Sequence, residues 1–130
     1  MRFFLERTNP WADDVDAARA EARRRVPSPF VDRRTIPALR GAIGTANRAH
    51  LVVGPRQAGK STAIWRVLAD EAAPLLFLDC EEPLVRHWCA SPGLFAADLR
   101  DWLPPGGIVF LEEAQWLDEA GLFLKGVVDA

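Results

Sequence analysis

Three short apolar runs constrain this chain more than anything else in it. Leu51-Val52-Val53 (introduced by His50), Leu75-Leu76-Phe77-Leu78 and Ile108-Val109-Phe110-Leu111 are continuous rather than alternating. A strand that is apolar at every position is buried on both faces, as in a parallel sheet with helices on either side. The segments between the runs carry helical punctuation. Asn9-Pro10 reads as a helix start, with Asn as cap and Pro in the first turn. Trp11, Val15, Ala18, Ala22 and Val26 then recur at helical spacing. Pro27-Ser28-Pro29 ends that helix and forms a short linker. A second helix is expected from about Thr35-Ile36-Pro37, carrying Leu39 and Ile43. Ser61 to about Glu71 reads as a helix with Ile64, Trp65, Val67 and Leu68 inward. Glu82-Pro83 opens a short helix to about Ala90. Ser91-Pro92 opens another, which ends before Pro104-Pro105-Gly106-Gly107. The chain from about Leu117 to Val128 is again helical. The expected fold class is α/β, a parallel sheet covered by helices. Residues 1–34 are expected to form an N-terminal helical segment and residues 35–130 the main domain.

Composition agrees with a packed fold. The 130 residues are 49% hydrophobic and 26% charged, with five Trp and seven Phe, enough for a core and unlike a linker or a solvating tail. The net charge of −2 averages an uneven chain: residues 1–50 carry +4 and residues 51–130 carry −6. Arg23-Arg24-Arg25 and Arg33-Arg34 are the densest basic points. Asp13, Asp14, Asp16 and Glu21 dilute their field, so the stretch reads as a solvated helix face rather than a nucleic-acid contact. Cys80 and Cys89 form no C-x-x-C pair and no disulfide framework. Only three consecutive apolar residues precede Glu6, too few for a signal-peptide core. No run approaches the roughly 18–20 apolar residues of a membrane helix. A cytoplasmic location is expected.

The segment between the first run and the following helix carries the chemistry. Gly54-Pro55-Arg56-Gln57-Ala58-Gly59-Lys60-Ser61-Thr62 matches G-x-x-x-x-G-K-[ST] in full, the Walker A phosphate-binding loop. The glycines let the backbone curl so that successive N–H groups point at phosphate oxygens. The helix that follows turns its unpaired N-terminal N–H groups and positive dipole end toward the same phosphates. Lys60 supplies a full charge toward the β- and γ-phosphates. Ser61 offers a hydroxyl to Mg2+, and Thr62, next in the helix, is a candidate for the α-phosphate.

The third run ends in Glu112-Glu113, the pattern of a Walker B strand. Glu112 is the candidate for the Mg2+ shell. Asp is usual at that place, and Glu, one methylene longer, still reaches. Glu113 is the candidate general base for the attacking water. Asp79, after the second run, reads as a turn cap, and Glu81-Glu82 as the acidic start of a helix. Trp65, Trp88, Trp102 and Trp116 read as core or interface residues. A small P-loop kinase uses the same loop, but the paired acids favour water activation, and no second substrate motif is seen. A non-hydrolysing remnant that binds a nucleotide or a partner is the non-enzymatic alternative.

Gly54 through Thr62, Leu76-Phe77-Leu78-Asp79, Phe110-Leu111-Glu112-Glu113-Ala114-Gln115 and Leu124-Lys125-Gly126-Val127-Val128-Asp129 occur in that order. In these residues the chain resembles the AAA-type prokaryotic ATP-binding proteins that pair an N-terminal P-loop domain with a C-terminal domain of unknown function. The similarity runs from about residue 33 to the end. The family's usual Asp-Glu-Ile-Gln is Glu-Glu-Ala-Gln here. The resemblance implies a P-loop NTPase fold, ATP and Mg2+ as ligands, and ATP hydrolysis. It implies that the Walker A and Walker B strands are not neighbours, because a later strand with a polar sensor residue lies between them. On that implication the chain stops after the helix that follows the Walker B strand. The intervening strand, the sensor, any arginine finger and the C-terminal half are then expected beyond Ala130, and full turnover is expected of a longer protein. A protein or nucleic-acid client, and the oligomeric state, are not legible.

Overall fold

The computed structural model describes residues 2–12, 14–26, 37, 39–41 and 60–129. The expected strand at 50–53, residues 54–59 of the loop, the linker at 27–29 and most of the helix expected from residue 35 lie outside the described residues. The described elements are α1 (Arg2–Thr8), α2 (Val15–Arg25), α3 (Lys60–Leu68), β1 (Leu75–Asp79), α4 (Pro83–Trp88), α5 (Pro92–Trp102), β2 (Ile108–Glu112), a 3-10 turn (Ala114–Trp116) and α6 (Ala120–Asp129). Helices α4 and α5 each begin with proline, which suits the first helical position because its missing N–H would be unpaired there. No described helix is long and apolar enough to cross a membrane.

β1 and β2 pair in parallel, with Leu75 opposite Ile108 and Asp79 opposite Glu112. Alternate residues of each strand enter opposite cores, which explains why both runs are continuously apolar. Leu75, Phe77, Ile108 and Phe110 pack with Trp11, Ala18, Ala22, Trp65 and Leu68 of the α2–α3 side. Leu76, Leu78, Val109 and Leu111 pack with Leu5, Val85, Trp88, Phe95 and Phe123. The described sheet is thus a parallel pair flanked by helices, an α/β arrangement of the P-loop NTPase kind.

Aromatic rings set the thickness of both layers. On the α3 side the rings of Trp65, Phe77 and Phe110 lie 5.2–5.4 Å apart, centre to centre. The Arg25 guanidinium sits 4.5 Å from the Trp65 ring centre and 4.9 Å from that of Phe77. Glu21 steers it there by accepting from Arg25 Nε at 2.8 Å. On the other side Phe95 lies between Trp88 and Phe123. The one polar atom of Trp88 is satisfied there, its Nε1 donating to Asp98 at 2.8 Å.

Asn9 does not start a helix. It follows α1, and α2 is capped instead by Asp14, whose carboxylate accepts from Ala17 N at 3.0 Å. Asn9 is needed elsewhere. In a parallel ladder every second residue turns both backbone groups to one neighbour. Pro74 and Cys80 bond to β2, so Phe77 faces the opposite edge. Asn9 occupies that edge as a short surrogate strand. Its Oδ1 accepts from Phe77 N at 2.6 Å, and its Nδ2 donates to Phe77 O at 2.9 Å and to Thr8 Oγ1 at 3.1 Å. The chain passes from one core to the other here, since Leu5 lies in one and Trp11 in the other.

Helices α5 and α6 approach closely at Gly126. A Cβ there would stand 2.7 Å from Pro92 Cβ and 3.1 Å from Pro92 Cγ, and a proline ring cannot rotate away. Gly126→Ala is therefore expected to destabilise the fold. Overpacking costs about 1–3 kcal/mol, against roughly 1 kcal/mol gained in helix propensity. A urea midpoint that rises on this substitution would refute the close approach.

Candidate active site

Ligand sites in parallel α/β sheets lie beyond the C-terminal ends of the strands. Here those ends are Asp79 and Glu112, side by side in register. α3 brings its first turn to the same place because Trp65 and Leu68 anchor it on the sheet. Its half-buried first residues are Lys60, Ser61 and Thr62. Ser61 Oγ donates to Glu112 Oε1, a contact across 51 residues of sequence. Gly54, Pro55, Arg56, Gln57, Ala58 and Gly59, the rest of the expected phosphate loop, lie outside the described residues.

The far end of α3 is held by charge. Asp70 Oδ2 accepts from Arg66 at 2.7 Å and from Arg40 at 2.8 Å. Hydrogen bonding from Arg66, with both nearby positive charges, holds the Asp70 carboxyl below the usual carboxylate range. Leu39 packs on Ala63 and Val67 of the same helix.

Glu113 leaves β2 in the left-handed conformation, φ 57° and ψ 43°. A non-glycine residue rarely adopts it, and such strain persists only where the surroundings enforce it. Glu112 accepts from Ser61 and Glu113 from Gln115, so the two consecutive acids meet different partners. Sequence reasoning missed a partner here: Gln115 Nε2 donates to Glu113 Oε2. The contact spans the left-handed residue and the start of the 3-10 turn, a conformation that the sequence does not announce. Asp79 behaves as a turn cap, its Oδ1 accepting from Glu81 N at 2.9 Å.

Cys80 follows directly after β1 and is buried. Burial, reinforced by the negative charge of Asp79, pushes its thiol up to about 12. Burial does the same to Cys89, also to about 12. Both are free thiols within the core.

The Ser61 hydroxyl and the Glu112 carboxylate are hard oxygen donors already within contact of each other. Mg2+ is commonly bound by one or two such protein ligands, with water and phosphate oxygens completing its shell. The donor set therefore fits that cation. No curated protein and no solved structure matches the chain. A family model described as an AAA domain matches residues 46–130. That span takes in α3, both strands and the Ser61–Glu112 contact, and it places this chain in the AAA domain family.

Proposed function

We propose that this chain binds ATP with Mg2+ and hydrolyses it as an AAA-type ATPase. The observation that carries this reading is the hydrogen bond from Ser61 to Glu112, which unites the start of α3 with the end of β2. Backbone N–H groups of residues 56–59 and the Lys60 ammonium would hold the phosphates. Thr62 would contact the α-phosphate, and Arg56 and Gln57 would belong to the nucleotide-binding loop, with the Arg56 side chain as exposed filler. Ser61 and Glu112 would hold the metal, which when bound neutralises charge on the β- and γ-phosphate oxygens. Glu113 would take a proton from the attacking water. The water oxygen then bonds to the γ-phosphorus as the bond to the β,γ-bridging oxygen breaks, leaving ADP and phosphate.

Within the AAA family, Glu113 and Gln115, the two positions that keep the usual Asp-Glu-Ile-Gln pattern while Glu112 and Ala114 depart from it, support placement with the prokaryotic ATP-binding proteins that carry a further C-terminal domain. In this reading residues 35–130 carry the chemistry. Residues 1–34 brace the sheet edge through Asn9, and the protein works in the cytoplasm.

Calorimetry with Mg-ATP tests the binding step. Lys60→Ala removes a charge-assisted contact of about 1.5–3 kcal/mol, so affinity is expected to fall about 10–100-fold. Equal affinity of the two proteins would sink the phosphate-loop assignment.

A further inference from the structure

The Ala114–Trp116 turn is fastened at both ends. At its start, Trp116 N donates to Glu113 O at 3.1 Å, closing the turn over the left-handed residue. At its end, Trp116 lies against Arg86, whose guanidinium carbon is 5.7 Å from the ring centre. Arg86 is itself fixed on the backbone just after β1, where its Nη1 donates to Glu81 O at 2.6 Å and lies 3.4 Å from Cys80 O. The turn is therefore tied to the end of the neighbouring strand, and Gln115 projects from it. The Gln115 side chain is exposed, yet it is engaged, since its amide donates to Glu113 Oε2. Among the described residues that is the only side chain on the Glu113 carboxylate, and Oε1 is left for another donor.

We propose that Gln115 is the positioning residue for Glu113. It holds one carboxylate oxygen so that the other faces the attacking water, with Arg86 and Trp116 fixing the turn from which it reaches. An amide suits this task because it donates without adding a charge beside the base. The Glu113 side chain has three rotatable bonds, and the left-handed backbone alone does not select among their rotamers. Gln115 supplies that selection. The proposal rests on the reading of Glu113 as the general base.

The test is phosphate release from Mg-ATP by the whole chain, for the parent and for Gln115→Ala, Glu113→Gln and the double variant. Gln115→Ala is expected to lower kcat about 10–100-fold, the scale of a misplaced catalytic group, and to leave KM within about two-fold. Combined with Glu113→Gln it is expected to add nothing, because the two residues act as one unit. An equal loss in both backgrounds would mean a general structural effect and overturn the proposal. So would an unchanged kcat for Gln115→Ala alongside a large loss for Glu113→Gln, with Glu113 keeping its role. Turnover indifferent to Glu113→Gln would overturn the reading of Glu113 and this proposal with it, and so would a parent that binds Mg-ATP without any turnover, the behaviour of the non-hydrolysing alternative. Because Gln115 is exposed, its truncation is expected to shift stability by only about 0.5 kcal/mol, which a urea titration checks.

Discussion

Glu113→Gln is expected to slow phosphate release from Mg-ATP by about 100–10,000-fold, the usual contribution of a positioned general base. Nucleotide affinity is expected to stay near that of the parent. The substitution is isosteric, so the side chain still fills its space and the amide oxygen can still accept from Gln115 Nε2. What is lost is the ability to take a proton from water. The contact that joins α3 to β2 belongs to Ser61 and Glu112, one residue away, and it is left intact. Binding and turnover should therefore separate cleanly, as calorimetry and a phosphate assay on the same preparation would show. Hydrolysis that survives the substitution would remove Glu113 as the base. Loss of binding together with turnover would instead mean that Glu113 belongs to the nucleotide-holding set.

The second large effect is on stability and comes from the opposite end of the chain. Asn9 is 2% exposed, and its amide satisfies both backbone groups of Phe77. Asn9→Ala leaves the part-buried N–H and C=O of Phe77 without their partners. Each costs about 1–3 kcal/mol, so about 2–6 kcal/mol together, a large share of the stability of a domain this size. Asn9→Asp tests the mechanism further. An ionised carboxylate can accept from Phe77 N–H, but it sets a negative oxygen against Phe77 C=O. Protonation restores a donor, so the folded state favours the protonated form and raises the pKa of the introduced carboxyl. The deficit should be largest above that raised value and shrink as the pH falls through it. Urea midpoints at several pH values read this directly. A variant as stable as the parent at neutral pH would show that the clamp carries no stability.

The sequence made some of these features legible and hid others for physical reasons. The runs at 75–78 and 108–111 were readable as buried strands because each strand serves two cores, and continuity of apolar residues is the signature of that. The starts of α4 and α5 were readable because proline punctuates locally. The start of the last helix was not, since a 3-10 turn and the left-handed Glu119 (φ 49°) intervene before Ala120. Neither Glu113 nor Glu119 is a residue type that announces a positive φ. Asn9-Pro10 has the composition of a helix cap, and a local rule has no means of seeing a partner 68 residues away. Ser61 and Glu112 were each readable from their motifs, but only the packing of α3 on Phe77 and Phe110 brings their oxygens together.

Chain order gives the Asn9 clamp a further meaning. A bare strand edge is a template for pairing with another copy of the same chain, and that hazard is greatest before folding is complete. Residue 9 is synthesised before residue 77. As β1 emerges during translation, the side chain that seals its edge is already present, and closing the intervening loop takes far less time than adding residues at the ribosome. The guard is made before the edge it protects, so nascent chains on neighbouring ribosomes meet β1 with the backbone groups of Phe77, at the middle of its outer edge, already taken.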